Sequence, residues 1–374
     1  MPDHDTNRAH VASLLHAVAA GESGAVARLY ADDATWRGSH PLNEMQGHDA
    51  IEGVWADLRQ ALPDIERRDL LTVGGTYKGR EMVATMGHYV GRWERPWLDM
   101  PASGGVLALR YGEVHELENG RIVRSSCLWD VLDAMRHCGP MGAGFNPIAP
   151  SYGTEMQWMA PFTGDGLATD RSAEEGAASL RQTLAMHDTL AEYGDSGREA
   201  AELGRQSLID MPQREHWHPK MMWYGPAGIG TGRGLAGFVD AHQLPFRLAF
   251  PNRQGGGQLL DGDELSADGG GHYVRLGEGP YSVTGGWPSV QATHGTRESV
   301  SDLFGAGPTG RKVGMRVMDF YLHHEGLIRE NWVPLDVIDV LRQLGVDVFE
   351  RLGQLLAGRR TFLPDASGPR DRSR

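Results

Sequence analysis

Near its end the chain carries the run Asp319-Phe-Tyr321-Leu-His323, which puts an acid, a phenol and an imidazole at every second position. Alternate side chains of an extended strand share a face, so these three point the same way if the segment is a strand. An acid beside a histidine in an apolar enclosure is a proton-transfer pair, and burial lifts a carboxyl toward neutrality provided no cation compensates it. The same spacing occurs earlier as Glu113-Val-His115. The other reading of both acids is a hydrogen-bonded structural carboxylate beside a hairpin.

Further candidates surround these two pairs. His294 in Ala-Thr-His-Gly-Thr and His88 in Met-Gly-His-Tyr-Val-Gly sit on strand-like segments, where each is a pocket-lining group or a half-exposed histidine bonded to backbone; near residue 88 the inward position falls to His88 or to Tyr89. The cluster His216-Trp-His218 followed by Met221, Met222, Trp223 and Tyr224 suits a flat apolar ligand, with core packing as the alternative. Trp36 answers Trp223, and Trp332 would shape the same wall. Asp336 is placed with the pocket lining, and it and Asp130 also read as helix caps or arginine partners. The histidine pairs His216/His218 and His323/His324 lack a His-Glu-x-x-His frame or a cysteine set, so no metal and no cofactor are expected. The glycines from Gly228 to Gly234 lack the Gly-Lys-Ser/Thr and the βαβ frame of a phosphate loop, which sets nucleotide binding aside.

The elements that position these groups come in two copies. Trp36 and Gly47 are answered by Trp223 and Gly234, 187 residues on, while Gly104, Gly120, Asp130, Asp133 and Gly139 are answered 206 residues on by Gly310, Gly326, Asp336, Asp339 and Gly345. Two constant offsets imply two copies of a unit of about 140 residues, the second with 19 extra residues expected within Asn252 to Ser289. Apolar residues at helical spacing (Val11, Leu14, Leu15, Val18; Ala178, Leu180, Leu184, Leu190) open each copy, and strand alternation closes it, as in Lys312 to His323. Asn119-Gly120 and Glu325-Gly326 supply the positive-φ positions of a hairpin turn, so the sheets are expected to be largely antiparallel and the units α+β. The expected layout is a more degenerate unit over 1–139, a Gly/Pro-rich linker over 140–170, a second unit over 171–352 whose Gly-rich insertion, about 252–289, could form a lid, and a mobile tail over 353–374.

Composition narrows the function. Lys and Arg total 36 against 49 Asp and Glu, a net charge of −13, which excludes a basic nucleic-acid-binding surface. No run of about 18 apolar residues exists to span a membrane. The patch Val11 to Ala20 follows Asp3 and Asp5 rather than a basic region, and two cysteines, Cys127 and Cys138, form no disulfide framework; a cytoplasmic protein is expected.

The block from Phe304-Gly-Ala-Gly-Pro-Thr-Gly-Arg-Lys-Val through Met318-Asp-Phe-Tyr and Glu325-Gly-Leu-Ile-Arg-Glu-Asn-Trp to Asp336 and Leu341-Arg-Gln-Leu-Gly345 resembles the SnoaL-like polyketide cyclases. Pro101-Ala-Ser-Gly, Glu118-Asn-Gly-Arg-Ile-Val and Met135-Arg-His-Cys-Gly139 form a degraded version of the same pattern. The resemblance implies two tandem cone-shaped domains of the nuclear-transport-factor-2-like class, each with N-terminal helices on a curved sheet around an apolar pocket, paired through their sheets as an intramolecular pseudo-dimer or a homo-oligomer. It also implies a small hydrophobic ligand and cofactor-independent acid-base chemistry of the cyclase, isomerase, dehydratase or lyase type. The general-base aspartate of the family's aldol cyclases would fall at Val333 and Cys127, neither of which can serve. A second family pocket position matches Asp319 and Glu113, and a Thr-His-x-Gly stretch at the pocket mouth matches His294. Asp319 is thus the candidate base with His294, His323 and Tyr321 as partners, and the alternative is a non-catalytic small-molecule-binding or dimerisation module.

Overall fold

The computed structural model describes residues 4–139, 146–162, 171–194, 200–251, 254–255, 272–295 and 303–360. The first unit begins with α1 (His4–Ala20) and α2 (Ala25–Leu29), continues through β1 (Tyr30–Gly38), β2 (Glu44–Gln46) and α3 (His48–Ala61), and ends in four long or medium strands and a short helix. These are β3 (Glu66–Tyr77), β4 (Arg80–Arg92), β5 (Val106–Glu118), β6 (Arg121–Trp129) and α4 (Val131–His137). Their sheet has the order β2-β1-β6-β5-β4-β3, antiparallel except where β1 runs parallel to β6. At the β5–β6 turn Asn119 and Gly120 take φ of 51° and 76°, the left-handed pair that two-residue hairpins favour.

The second unit repeats this plan. Helices α5 (Ala173–Gly194) and α6 (Ala200–Ile209) precede β7 (Trp217–Tyr224) and β8 (Thr231–Arg233), followed by α7 (Gly234–Phe238), a π turn and α8 (Leu244–Ala249). Then come β9 (Gln254–Gly255), β10 (His272–Glu278), β11 (Tyr281–Thr293), β12 (Lys312–His324), β13 (Leu327–Trp332), α9 (Val337–Leu344) and α10 (Val348–Arg360). The sheet order β10-β11-β12-β13-β7-β8 mirrors that of the first unit strand for strand, with β9 added beside β11. Both units are therefore α+β, helices on a curved, mostly antiparallel sheet.

Two details differ from the sequence expectation. Ala61 and Ala249 end matched helices 188 residues apart, whereas Arg80 and Tyr281 open matched strands 201 apart, so 13 of the added residues fall between these points. Residues 272–289 are accordingly paired sheet, because β10 and β11 are the counterparts of β3 and β4; the glycine-rich stretch 256–271 and the lid suggested for it lie outside the described residues. The segment from residue 353 continues α10 to Arg360, with Leu352 buried, so a tail could begin only at 361, outside the described residues.

Strand alternation sorts the apolar residues into two layers. In β12, Val313, Met315, Val317 and Tyr321 face the helices, while Met318, Phe320 and Leu322 face the other way and meet Met86, Val114 and Leu128 of the first unit. The two sheets thus bury their outer faces against each other. Gly112 makes this close approach feasible: a Cβ there would lie 2.2 Å from Pro334 Cγ. At the seam Asp336 accepts a hydrogen bond from His40 N at 2.9 Å, and Asp130 accepts one from Ala227 N at 2.9 Å. His40 and Ala227 are 187 apart and Asp130 and Asp336 are 206 apart, so the offsets of the sequence repeat reappear as a pseudo-twofold, isologous interface. Residues 146–162 run along the second unit, where Gly153 N donates to Ile229 O at 2.7 Å and the buried Trp158 indole donates to Gly225 O at 3.2 Å.

Candidate functional site

In the first unit the pleat of β5 turns Glu113 and His115 inward, and the helices seal them there with no exposed side-chain area. Arg67, equally sealed on β3, places Nη1 at 2.8 Å from Glu113 Oε2, and its Nε lies 2.9 Å from Asp69 Oδ1. Glu113 also accepts from the Tyr89 hydroxyl at 2.7 Å and from the Trp129 indole at 2.8 Å. His115 shows Nε2 at 3.4 Å to the same carboxylate, while its Nδ1 meets Ser125 Oγ at 2.8 Å and Ser125 donates to Tyr30. Burial pushes the Glu113 carboxyl up, but Arg67 and its other partners outweigh that and hold it down at about 2. Glu113 is a permanent carboxylate, and so fixed an anion is a poor proton carrier near neutrality. The aromatic wall is packed solid: Tyr89, Trp55 and Trp129 meet one another at ring distances of 5.3 Å, and Trp36 stands edge-on to Trp129 at 5.6 Å.

The second unit puts different chemistry at the matched place. Asp319 pairs across the sheet with Thr284, as Glu113 does with Thr85, but keeps partial exposure. Its partners are neutral: Asn331 Nδ2 lies 3.4 Å from Oδ1, and the Tyr321 hydroxyl is hydrogen-bonded to the carboxyl. Burial therefore prevails and pushes Asp319 up to about 6. Among the described residues no guanidinium reaches this carboxyl. Asp69 of β3 pairs with Gly87 and His272 of β10 with Gly286, so His272 stands where Asp69 stands in the first unit.

Behind Asp319 the polar chain continues into α5. Tyr321 OH lies 2.8 Å from His187 Nε2, and the His187 ring stands edge-on to that of His272 at 5.4 Å. Desolvation keeps both imidazoles neutral, with His187 brought down to about 4. One helical turn earlier on α5, Thr183 meets His323 Nε2 at 3.1 Å, and Ser282 meets the same nitrogen at 3.2 Å.

Of the residues singled out from the sequence, Asp319 and Tyr321 come together in one unit, and Glu113, His115 and Tyr89 in the other. The remainder lie elsewhere. His323 shares the face but sits four residues along β12, roughly 13 Å away at strand spacing, bonded to Thr183 and Ser282. His294 follows the end of β11 that pairs with Lys312, ten residues and roughly 30 Å from Thr284, because the antiparallel register sends it away from Asp319; there it meets Thr309 at 3.0 Å. Trp223 stacks on His242 at 4.6 Å within the packed helical layer, and Trp36 is core in the same way. Tyr224 and Trp332 stack on each other at 5.4 Å between the two sheets, since alternation turns them outward. His218 faces Glu325 at 3.7 Å at the sheet margin. Asp336 caps α9, accepting from Asp339 N at 3.1 Å, and pairs with Arg316 at 3.1 Å, so it is cap and arginine partner rather than pocket lining. His88 turns to the inter-sheet layer near Trp158, and Tyr89 takes the inward place.

Sequence reasoning missed Arg67, Asp69, His187 and His272. The signal for the first pair was two charges of opposite sign at alternate positions of a strand, Arg67 and Asp69, which must share a face. For His187 it was the run Ser179, Thr183, His187, a polar stripe at every fourth position of one helix, all of it buried.

Residues 11–125 match the family model of the SnoaL-like domain. The first unit is a SnoaL-like domain. Among solved structures, a protein assigned as a SnoaL-like polyketide cyclase from Jannaschia sp. CCS1 is 17% identical, covering 36% of this chain and 92% of that one at a TM-score of 0.32. IdmH from Streptomyces antibioticus, assigned as a polyketide cyclase, is 19% identical over 34% of this chain and 94% of its own, with a TM-score of 0.30. A Catenulispora acidiphila protein described with a ketosteroid isomerase-like fold, in complex with trimethylamine, is 15% identical over 37% and 97% respectively, with a TM-score of 0.28. No curated protein matches the chain. The second unit repeats the strand order of the SnoaL-like unit, and among the described residues no helix is long and apolar enough to cross a membrane.

Proposed function

We propose that the second unit is a cofactor-independent acid-base site for a small hydrophobic molecule of aromatic or polyketide-like character, with Asp319 as the base, and that the SnoaL-like first unit is its non-catalytic partner. The observation that carries this reading is the contrast at matched positions. Asp319 has neutral partners and titrates near 6, where a carboxyl can both take and return a proton at physiological pH. Glu113 is tied to Arg67 and sealed beneath tryptophans. The reaction class is proton abstraction or return of the cyclase, isomerase, dehydratase or lyase type.

The test is turnover of a panel of aromatic polyketide-type esters and ketones by the whole chain. Asp319→Asn should lower the rate by more than about 10²-fold, the scale of a positioned acid-base group, while Glu113→Gln stays within a factor of two in folded protein. Equal losses in both variants would refute the division of roles. Ligand binding with no turnover would favour the second reading, a small-molecule-binding module.

A further inference from the structure

The polar chain in the second unit ends on an atom that Asp319 chemistry alone leaves unexplained. His187 is buried, its Nε2 is engaged by Tyr321, and its Nδ1 has no hydrogen-bond partner among the described residues. A neutral imidazole carries one proton on one of two nitrogens, and the hydrogen bond made by one decides what the other presents.

Both states of Asp319 impose a choice on that ring. When Asp319 is a carboxylate, Tyr321 donates its hydroxyl proton to it, so the phenol oxygen must accept, and His187 must hold its proton on Nε2 and leave Nδ1 bare. When Asp319 takes a proton, its own O–H donates to the phenol oxygen, and Tyr321 turns its hydroxyl toward His187 Nε2. That nitrogen must then be bare and Nδ1 must carry the proton. The step balances as a relay: Nε2 passes its proton to the phenol oxygen, the phenol passes its own to the carboxylate, and one proton from solvent arrives at Nδ1, so that one proton is added in total and the imidazole is neutral in both states.

We propose that His187 is a positioning residue for Asp319, a tautomer switch coupled through the Tyr321 hydroxyl, with its proton on Nε2 while Asp319 is a carboxylate and on Nδ1 while Asp319 is an acid. The proposal rests on the reading of Asp319 as the base. The Nε2–H form fixes Tyr321 as a donor and so holds the carboxylate ready to accept a proton. The Nδ1–H form holds the acid ready to return it. The groups facing His187 are Tyr321 from β12, with Asp319 beyond it, and from β10 the neutral His272 and the Arg275 guanidinium, the second of which opposes an imidazolium; Thr284 of β11 touches the Tyr321 hydroxyl. His323 on the same face belongs to Thr183 and Ser282.

The experiment is 15N NMR of the whole chain labelled at the histidine ring nitrogens, with the His187 resonances assigned by their loss in His187→Gln. Expected is an exchange of the Nδ1 and Nε2 shifts between the two neutral tautomers centred near pH 6, with imidazolium appearing only near pH 4. Asp319→Asn and Tyr321→Phe should each abolish the step near pH 6 in folded protein. One tautomer held from pH 8 to 5, or a step that survives in Asp319→Asn, overturns the proposal. No substrate is needed, so a switch present alongside undiminished turnover in Asp319→Asn would refute the base and leave the switch standing. Lost turnover without a switch would do the reverse.

Discussion

Replacing Arg67 with leucine should reverse the pH dependence of stability of the SnoaL-like unit. In the native chain the guanidinium holds Glu113 at about 2 against its usual 4.5, a shift of roughly 2.5 units, or about 3 kcal/mol at about 1.36 kcal/mol per unit. A depressed acid contributes stability that is fully present above the unfolded value, near 4.5, and is lost as pH falls toward 2. Removing Arg67 leaves Glu113 and Asp69 facing a cavity, Glu113 with Tyr89, Trp129 and His115 as its partners and Asp69 with Tyr111, Thr85 and His16. Breaking one side of such a sealed pair costs about 3–5 kcal/mol. Glu113 would then rise above its unfolded value, because burial is the largest influence on it once the cation is gone. Its sign flips: the variant loses stability as pH rises through the new value and regains it on acidification. Urea unfolding followed by tryptophan fluorescence at pH 7 and pH 5 reads this directly. Arg67→Leu should be about 3 kcal/mol weaker at pH 7 and measurably closer to native at pH 5, and Arg67→Leu with Glu113→Leu should recover most of the loss. A loss below about 1 kcal/mol, or one that grows on acidification, would refute the assignment of this pair as the internal staple.

Asp319 predicts the opposite behaviour without any substitution of its surroundings. Its value is raised to about 6 from 3.8, so it opposes folding increasingly as pH rises between those values, and Asp319→Asn should stabilise the chain at pH 7 by up to about 3 kcal/mol and by nothing at pH 3.5, as read by urea titration. Gly112→Ala should cost about 1–3 kcal/mol, because the new methyl meets the rigid Pro334 ring across the seam; hydrogen exchange of β5 and β12 should rise together if the two sheets are forced apart. Asp336→Ala removes a cap, an arginine partner and the acceptor for His40 N at once and should cost more than the about 1 kcal/mol of a surface cap, whereas a loss confined to that value would mean that the seam contact adds nothing.

The fold was legible because it is written twice. The 187 and 206 offsets, the helix-then-strand order and the Asn119-Gly120 and Glu325-Gly326 turns each report local rules, and a repeated local rule survives noise. The site was legible only along a single strand. Alternation correctly joined Asp319 to Tyr321 and Glu113 to His115, since period two is a property of one segment. It could not reveal Arg67, which reaches Glu113 from a strand 46 residues away, or His187, which reaches Tyr321 from a helix 134 residues away. Nor could it tell which wall of the sheet meets helices and which meets the other unit: Tyr224 and Trp332 have the composition of a pocket wall and form the seam instead. His294 failed for a third reason, because a motif adjoining a strand names no end of it, and antiparallel pairing carried it to the far one.

The same register that separates the two sites explains how one chain holds both. In the SnoaL-like unit β3 brings Arg67 and Asp69 to the carboxylate, and the unit gains a sealed, charge-compensated core at the expense of a titratable acid. In the second unit the acid on β12 has only the neutral Asn331 and Tyr321 as side-chain partners among the described residues and stays partly open. An uncompensated buried acid is destabilising, and a lone unit of this size could lose its marginal stability to it. Here the outer face of its sheet is covered by a partner whose own interior is locked, and the two share one continuous apolar layer. The locked unit thus offsets what the second unit lacks. Removing the uncompensated acid from the second unit tests this coupling: Asp319→Leu should raise the midpoint of unfolding of both units together. If the first unit's transition stays fixed while the second moves, the two units are independent neighbours and the shared layer does not couple their stability.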